Sequence, residues 1–263
     1  MVESPARKSQ EQDPSALNAK QFEVLEKVAR RAAIEESESN HRKRKAGDAD
    51  VRNASLSNPL RWVVHGGPGT GKTHVIKSMS ALFIEMFGWK QGVEFQHVAL
   101  QAVMADQLDG DTIHHALGIQ PFEKDGPGSS GANLTETARG LRHLRWLIID
   151  EISMVSAAFL ASIDMQLRSI MTNVHKTKKD GDNRSRPFGG LNVILVGDFC
   201  QLDPPSGVPL AGIPAEYVQS SRRFLPAATT AHGQSLLWGC GTYEEAVQGM
   251  TELTETSGAP TYG

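Results

Sequence analysis

The strongest chemistry in this sequence sits in Gly66-Gly67-Pro68-Gly69-Thr70-Gly71-Lys72-Thr73. This glycine-rich stretch follows the apolar run RWVV and leads into THVIKSMSALFIEMF, whose apolar spacing predicts a helix. Strand, glycine turn and helix in that order form a phosphate-binding loop: backbone N–H groups wrap a phosphate and the helix start adds the positive end of its dipole. Gly67, Gly69 and Gly71 let the backbone approach closely, where a Cβ would block it. Pro68 and Thr70 complete the turn. Lys72 carries a positive charge to the β- and γ-phosphates, and the Thr73 hydroxyl suits Mg²⁺. The chain is expected to bind ATP with Mg²⁺.

Two further groups complete a hydrolysis site. After the apolar run Trp146-Leu147-Ile148-Ile149 come Asp150 and Glu151. Asp150 is expected to hold the Mg²⁺ shell, and Glu151 to orient or deprotonate the attacking water. A kinase or a GTPase does not require that second carboxylate, so Glu151 points to an ATP hydrolase. The stretch VGDFCQLDPP then sets Asp198 and Gln201 on a tight loop stiffened by Pro204 and Pro205. The neutral amide of Gln201 bonds either a γ-phosphate oxygen or a water, and so could report the bound nucleotide. Its alternative role is to hydrogen-bond a strand-to-loop turn.

These groups need a scaffold. Apolar runs recur at Trp62 to Val64, Phe95 to Leu100, Trp146 to Ile149 and Val193 to Val196, separated by helical or loop material. That alternation predicts an α/β fold, a mainly parallel sheet flanked by helices, with ligands at the carboxyl ends of its strands. The expected organisation is a disordered polar tail (1–15), an N-terminal helix (16–34), a mobile polar insertion (35–58), the ATPase domain (59–255) and a divergent tail (256–263). Phe22, Leu25, Val28 and Ala32 lie at helical spacing, with Asn18 as a cap. Arg42 to Lys45 fits either a nuclear import signal or a solvated charged loop. A net charge of −3 excludes a polycation, so any nucleic-acid contact must be local. The two cysteines, Cys200 and Cys240, form neither a disulfide framework nor a metal-ligand pattern, which suits a reducing compartment. No apolar run approaches a membrane span and no signal-peptide core is present, so an intracellular, nuclear or mitochondrial protein is expected; the acidic residues near the N-terminus argue against the mitochondrion. The four tryptophans, Trp62, Trp89, Trp146 and Trp238, mostly look like core or packing residues by position, and none is assigned to base stacking.

Taken together, the motifs resemble the Pif-one family of DNA helicases in superfamily one. LNAKQ is similar to the family's Q-type motif, which implies an adenine contact for Gln21. GGPGTGKT is similar to motif I, LIIDEISMVS to motif II, and PFGGLNVILVGDFCQLDPP to the approach to motif III. ALQAVMADQLDGDTIHHALGI matches the motif Ia region and ends in the family's Thr-Ile-His element at Thr112, Ile113 and His114. The resemblance implies a first RecA-like P-loop domain that couples ATP hydrolysis to 5′-to-3′ movement on single-stranded DNA. It also implies work in DNA repair, recombination and telomere maintenance, and DNA contacts at Gln101, Thr112, His114 and Phe199.

The sequence departs from the family in motif Ia, where Gln101 and Ala102 replace Thr-Gly, so a weakened backbone contact is expected there. Motif III keeps only part of its Pro-Val ending at Asp203, Pro204 and Pro205. No arginine follows Arg223, so the second RecA-like domain, whose arginines complete the family's ATP site, is expected as a partner that this sequence does not encode. The basic segment with Lys176, Lys178, Lys179, Arg184 and Arg186 is either a phosphate contact or a solvated loop diluted by Asp180 and Asp182. Beside the helicase reading stand a nucleotide-dependent binding module without motor activity and an inactive remnant. The intact Lys72, Thr73, Asp150, Glu151 and Gln201 argue against the remnant.

Overall fold

Residues 17–46, 58–119, 131–174, 186–211, 228–238 and 247–255 are described by a computed structural model. The four apolar runs form strands β1 (Arg61–Gly66), β2 (Phe95–Ala99), β4 (Trp146–Asp150) and β5 (Asn192–Gly197). Two strands that the sequence did not announce join them, β3 (Asp111–Thr112) and β6 (Gly249–Leu253). The order across the sheet is β3-β2-β4-β5-β1-β6, and every pairing is parallel. The expected α/β, RecA-like arrangement is therefore the one observed.

Each central strand is apolar on both faces because helices cover both. Trp146, Ile148, Ile194, Val196 and Val64 point to one side, against helices α1 (Ala19–Ala46) and α2 (Lys72–Phe87). Leu147, Ile149, Val193, Leu195 and Val63 point to the other. That second layer contains α4 (Ile113–Leu117), α5 (Gly131–Gly140), α6 (Ala157–Val174) and α7 (Ala228–Trp238), while the short α3 (Ala102–Asp106) caps the end of β2. Helix α2 ends where Gly88 takes a left-handed φ of 65° and its N–H reaches back to Ile84 O. Among the described residues no helix is long and apolar enough to cross a membrane.

Helix α1 corrects two expectations. Its buried stripe is Val24, Val28 and Ala32, whereas Phe22 is exposed, so the apolar face is rotated from the one the spacing suggested. It also continues to Ala46, through half of the stretch read as a mobile insertion from residue 35. The reason is tertiary. Glu35, though charged, is buried and accepts from Asn192 Nδ2 (2.9 Å), and Glu36 pairs with Arg145 (3.0 Å). Arg31 Nε donates to Asn192 Oδ1 (3.1 Å). Polar side chains thus hold this helix to the sheet where apolar ones end. Most of the basic segment around Lys176 to Arg184 and both terminal tails lie outside the described residues.

Asn192 is the centre of that attachment. Its carbonyl also accepts the Leu60 N–H (2.8 Å), and its amide also donates to Arg145 O (3.2 Å). Buried at the start of β5, it fixes α1, β1 and β4 through one side chain. Asn192→Ala is expected to destabilise the protein by about 2–4 kcal/mol, because it strands several buried polar partners at once. Urea denaturation checks this against Lys20→Ala, whose exposed pair with Glu23 should matter by less than about 1 kcal/mol.

Candidate nucleotide site

The phosphate loop closes the carboxyl end of β1. Gly69 and Gly71 both adopt positive φ, 74° and 82°, which only glycine takes at little cost. Gly66 is required for another reason: a Cβ there would lie 2.6 Å from Thr70 Oγ1 and 2.9 Å from Leu253 Cβ. Thr70 Oγ1 donates to Gly67 O (2.8 Å), and Lys72 Nζ donates to Gly66 O (2.7 Å) and Gly67 O (3.0 Å). The ammonium therefore sits over the loop, where phosphate oxygens would replace the two carbonyls. Thr73 stands exposed in the first turn of α2, beyond exposed Pro68 and Gly69.

Gln21 supports this loop from α1. Its Nε2 donates to Thr70 O (2.9 Å), its Oε1 accepts the Asn18 N–H (3.0 Å), and Asn18 Oδ1 accepts the Gln21 N–H (2.9 Å). This reciprocal cap, with Asn18 where the sequence put it, starts the helix and aims the amide at the loop. Gln21 is buried, with its amide held against the phosphate loop.

The sheet order brings the second group alongside. β4 and β1 flank β5, so Asp150 and Glu151 end one strand away from the motif III loop and two from the phosphate loop. Asp150 is half-buried, and desolvation pushes its carboxyl up from 3.8 to about 6. The Glu151 N–H, donating to Asp150 Oδ1 (2.9 Å), and the Lys72 charge pull in the opposite direction without cancelling the burial. Glu151 adopts φ 52° and ψ 46°, left-handed backbone that costs a non-glycine residue about 1–2 kcal/mol. Such strain at a strand end is typical of a residue whose direction matters. The hydroxyl of Thr73 and the carboxylate of Asp150 make a hard oxygen donor set that fits Mg²⁺.

The third group follows β5. Asp198 is buried, accepts the Cys200 N–H at Oδ1 (2.9 Å) and turns Oδ2 toward the phosphate loop, 3.9 Å from where a Gly67 Cβ would stand. The Gln201 N–H closes the turn on Asp198 O (3.1 Å), leaving Gln201 exposed at its tip. Lys72, Glu151 and Gln201 thus end three neighbouring strands.

The candidate DNA contacts lie on the same edge of the sheet, with mixed roles. Gln101 is exposed at the start of α3. Thr112 caps α4 by accepting the His115 N–H (3.3 Å), so its hydroxyl has a structural use. His114 stacks on Phe159 (4.9 Å between centroids), and burial lowers its pKa. Phe199 stacks on His65 (5.6 Å) and tilts against Trp238 (6.2 Å). Trp238 is 46% exposed, unlike buried Trp89 and Trp146, which corrects its reading as a packing residue. Phe159 and His65 carried no sequence signal, because their partners are distant in the chain.

Burial of Asp150 has a signed consequence. A carboxyl raised in the folded state adds stability below about pH 4 and loses that contribution as pH rises through about 6. Asp150→Asn is therefore expected to melt a few degrees above the parent at pH 7.5 without metal, reflecting at most about 3 kcal/mol. The difference should disappear near pH 4, and thermal melts at both pH values in chelator check it.

With the geometry established, comparison with known proteins places the chain. A family model described as PIF1-like helicase matches residues 38–209. Among curated relatives, ATP-dependent DNA helicase PIF1 of Saccharomyces cerevisiae is 32% identical over 150 residues, 55% of this chain and 15% of that protein. The PIF1 of Danio rerio is 32% identical over 157 residues, 59% of this chain and 21% of its own. The chain thus spans well under a quarter of each of these relatives' length. The crystal structure of Pif1 helicase from Candida albicans superposes with a TM-score of 0.53 at 22% identity, over 91% of this chain and 40% of that one. Unliganded Pif1 from a Bacteroides species gives 0.51 at 22% identity, over 92% and 42%. These two likenesses carry the fold; the match over residues 38–209 carries the lineage, and this chain belongs to the PIF1-like helicase family.

Proposed function

We propose that this chain is the ATP-hydrolysing lobe of a DNA helicase that moves 5′ to 3′ along single-stranded DNA. The observation that carries the reading is the convergence of Lys72, Asp150, Glu151 and Gln201 at the ends of β1, β4 and β5, which are consecutive in the sheet. The names of the relatives, ATP-dependent DNA helicases, support ATP as the fuel and DNA as the track. Their greater length supports a second lobe that completes the motor.

In this reading the γ-phosphate takes the place of the loop carbonyls beside the Lys72 ammonium, which then offsets charge on the transferring group. Thr73 and Asp150 would hold Mg²⁺, which would supply positive charge against the phosphate oxygens. Glu151, aimed by its left-handed backbone, accepts a proton from the attacking water. Gln201 senses the γ-phosphate and passes its presence to the loop that carries Phe199. DNA lies along the edge formed by Gln101, Thr112, His114 and Phe199. Arginines from a second lobe would add roughly 10³ to 10⁵ in rate.

Steady-state ATP hydrolysis by the purified chain, with and without single-stranded DNA, tests the proposal. Lys72→Ala is expected to abolish turnover and weaken nucleotide binding. Glu151→Gln should lower kcat by about 10²- to 10⁴-fold while a fluorescent ATP analogue still binds. Binding without any turnover in the parent chain would favour the nucleotide-dependent binding module instead. Unwinding of substrates with 5′ or 3′ tails, by protein carrying both lobes, reads the direction.

A further inference from the structure

Cys200 gave no metal-ligand pattern in the sequence, yet the fold supplies one. The ligand atoms of His65, Asp198 and Cys200 all lie within 4.8 Å of one another. His65 sits near the end of β1, one residue before the phosphate loop; Asp198 and Cys200 follow β5. β1 and β5 are paired with His65 opposite Gly197, so the register itself brings the three side chains together. We propose that they form a binding site for a divalent transition-metal ion of the Zn²⁺ class.

The donor set selects that class. A thiolate, an imidazole and a carboxylate suit Zn²⁺ or Co²⁺, and Mg²⁺ has no preference for sulfur or nitrogen. Three protein ligands leave a fourth, open position for water or a phosphate oxygen. Each ligand is available at small cost. Cys200 is a free thiol and exposed. His65 Nδ1 accepts a long contact from the Phe199 N–H (3.4 Å), which a metal on the same ring nitrogen would replace. Asp198 is already oriented, because the Cys200 N–H holds its Oδ1 (2.9 Å), and its buried carboxylate gains a counter-charge from the ion.

The site is distinct from the Mg²⁺ position at Thr73 and Asp150, which has no sulfur. Its location gives it a consequence for the motor. One ligand adjoins the phosphate loop, and the other two bracket Phe199 immediately before Gln201. An ion here ties the two loops together and holds the Asp198–Gln201 turn in one position.

Titration of the full chain with Co²⁺ tests the site without reference to ATP hydrolysis. One equivalent should bring thiolate-to-cobalt charge-transfer absorption and visible bands of tetrahedral intensity. Cys200→Ala should abolish the charge-transfer band, and His65→Ala should weaken Co²⁺ binding at least about tenfold. Cys240→Ala, which removes the only other cysteine, should leave the spectrum unchanged. Zn²⁺ should displace Co²⁺ stoichiometrically, and excess Mg²⁺ should not. No thiolate band, or a band that survives Cys200→Ala and depends on Cys240, would overturn the proposal. Circular dichroism of each variant separates loss of ligand from loss of fold.

Discussion

The chemistry of this protein depends on β4, β5 and β1 lying side by side and parallel. Parallel strands present their carboxyl ends at one edge of the sheet, so the loops that leave them share one cleft. In sequence, Lys72, Glu151 and Gln201 are far apart; in the sheet they are neighbours because the strands are. The arrangement is held by burial. Trp146, Leu147, Ile148, Ile149 and the β5 residues Val193 to Val196 are almost completely removed from water on both faces. A slip of one residue in any of these strands would turn each side chain to the opposite layer. The register that packs the core is therefore the same register that aligns the site.

The cleft itself opposes folding. Asp150 is partly desolvated without a full counter-charge, and Glu151 is held in left-handed backbone. Lys72 satisfies its ammonium on two loop carbonyls. The first two are local conflicts at a place where a ligand would relieve them, a pattern expected of working sites. The sheet can carry that burden because these conflicts lie at the strand ends, while the interiors of β4 and β5 are apolar. The same separation explains why a buried polar hub such as Asn192 lies at the opposite end of β5, where it fastens helices rather than ligands.

Legibility in the sequence followed the range of the interactions. The phosphate loop and the four apolar strands could be read because each is a local pattern of glycines or of consecutive apolar residues. β3 could not, being two residues long, and β6 alternates between buried and exposed positions at the margin of the sheet. The outer half of α1 looked like polar insertion because its stabilising partners, Asn192 and Arg145, lie more than a hundred residues away. Tryptophans mostly read as packing residues by position, yet Trp238 lies beside Phe199 and is half open to solvent. His65 and Cys200 seemed unrelated until strand pairing made them adjacent. The likeness to the helicase family was legible because its motifs are the local part of the site.

The phosphate loop is gripped from two sides, and this limits how it can move. Gln21 reaches it from α1 through Thr70 O, and β6 packs against it where Gly66 leaves no room for a side chain. Helix α1 is itself fastened to the start of β5 by Asn192, while the far end of β5 carries Asp198 against the same loop. A displacement of the loop must therefore stretch the Gln21 hydrogen bond or change the approach of the Asp198 carboxylate that faces it. The first leads along α1 to the base of the sheet; the second leads directly to Phe199 and Gln201. The core beneath is close-packed and compresses little, whereas Gln201, Leu202 and Asp203 in the turn after β5 are exposed. The phosphate loop is thus braced by α1 and β6, and the side that faces the turn after β5 is the one open to solvent, with Gln201 exposed at its tip.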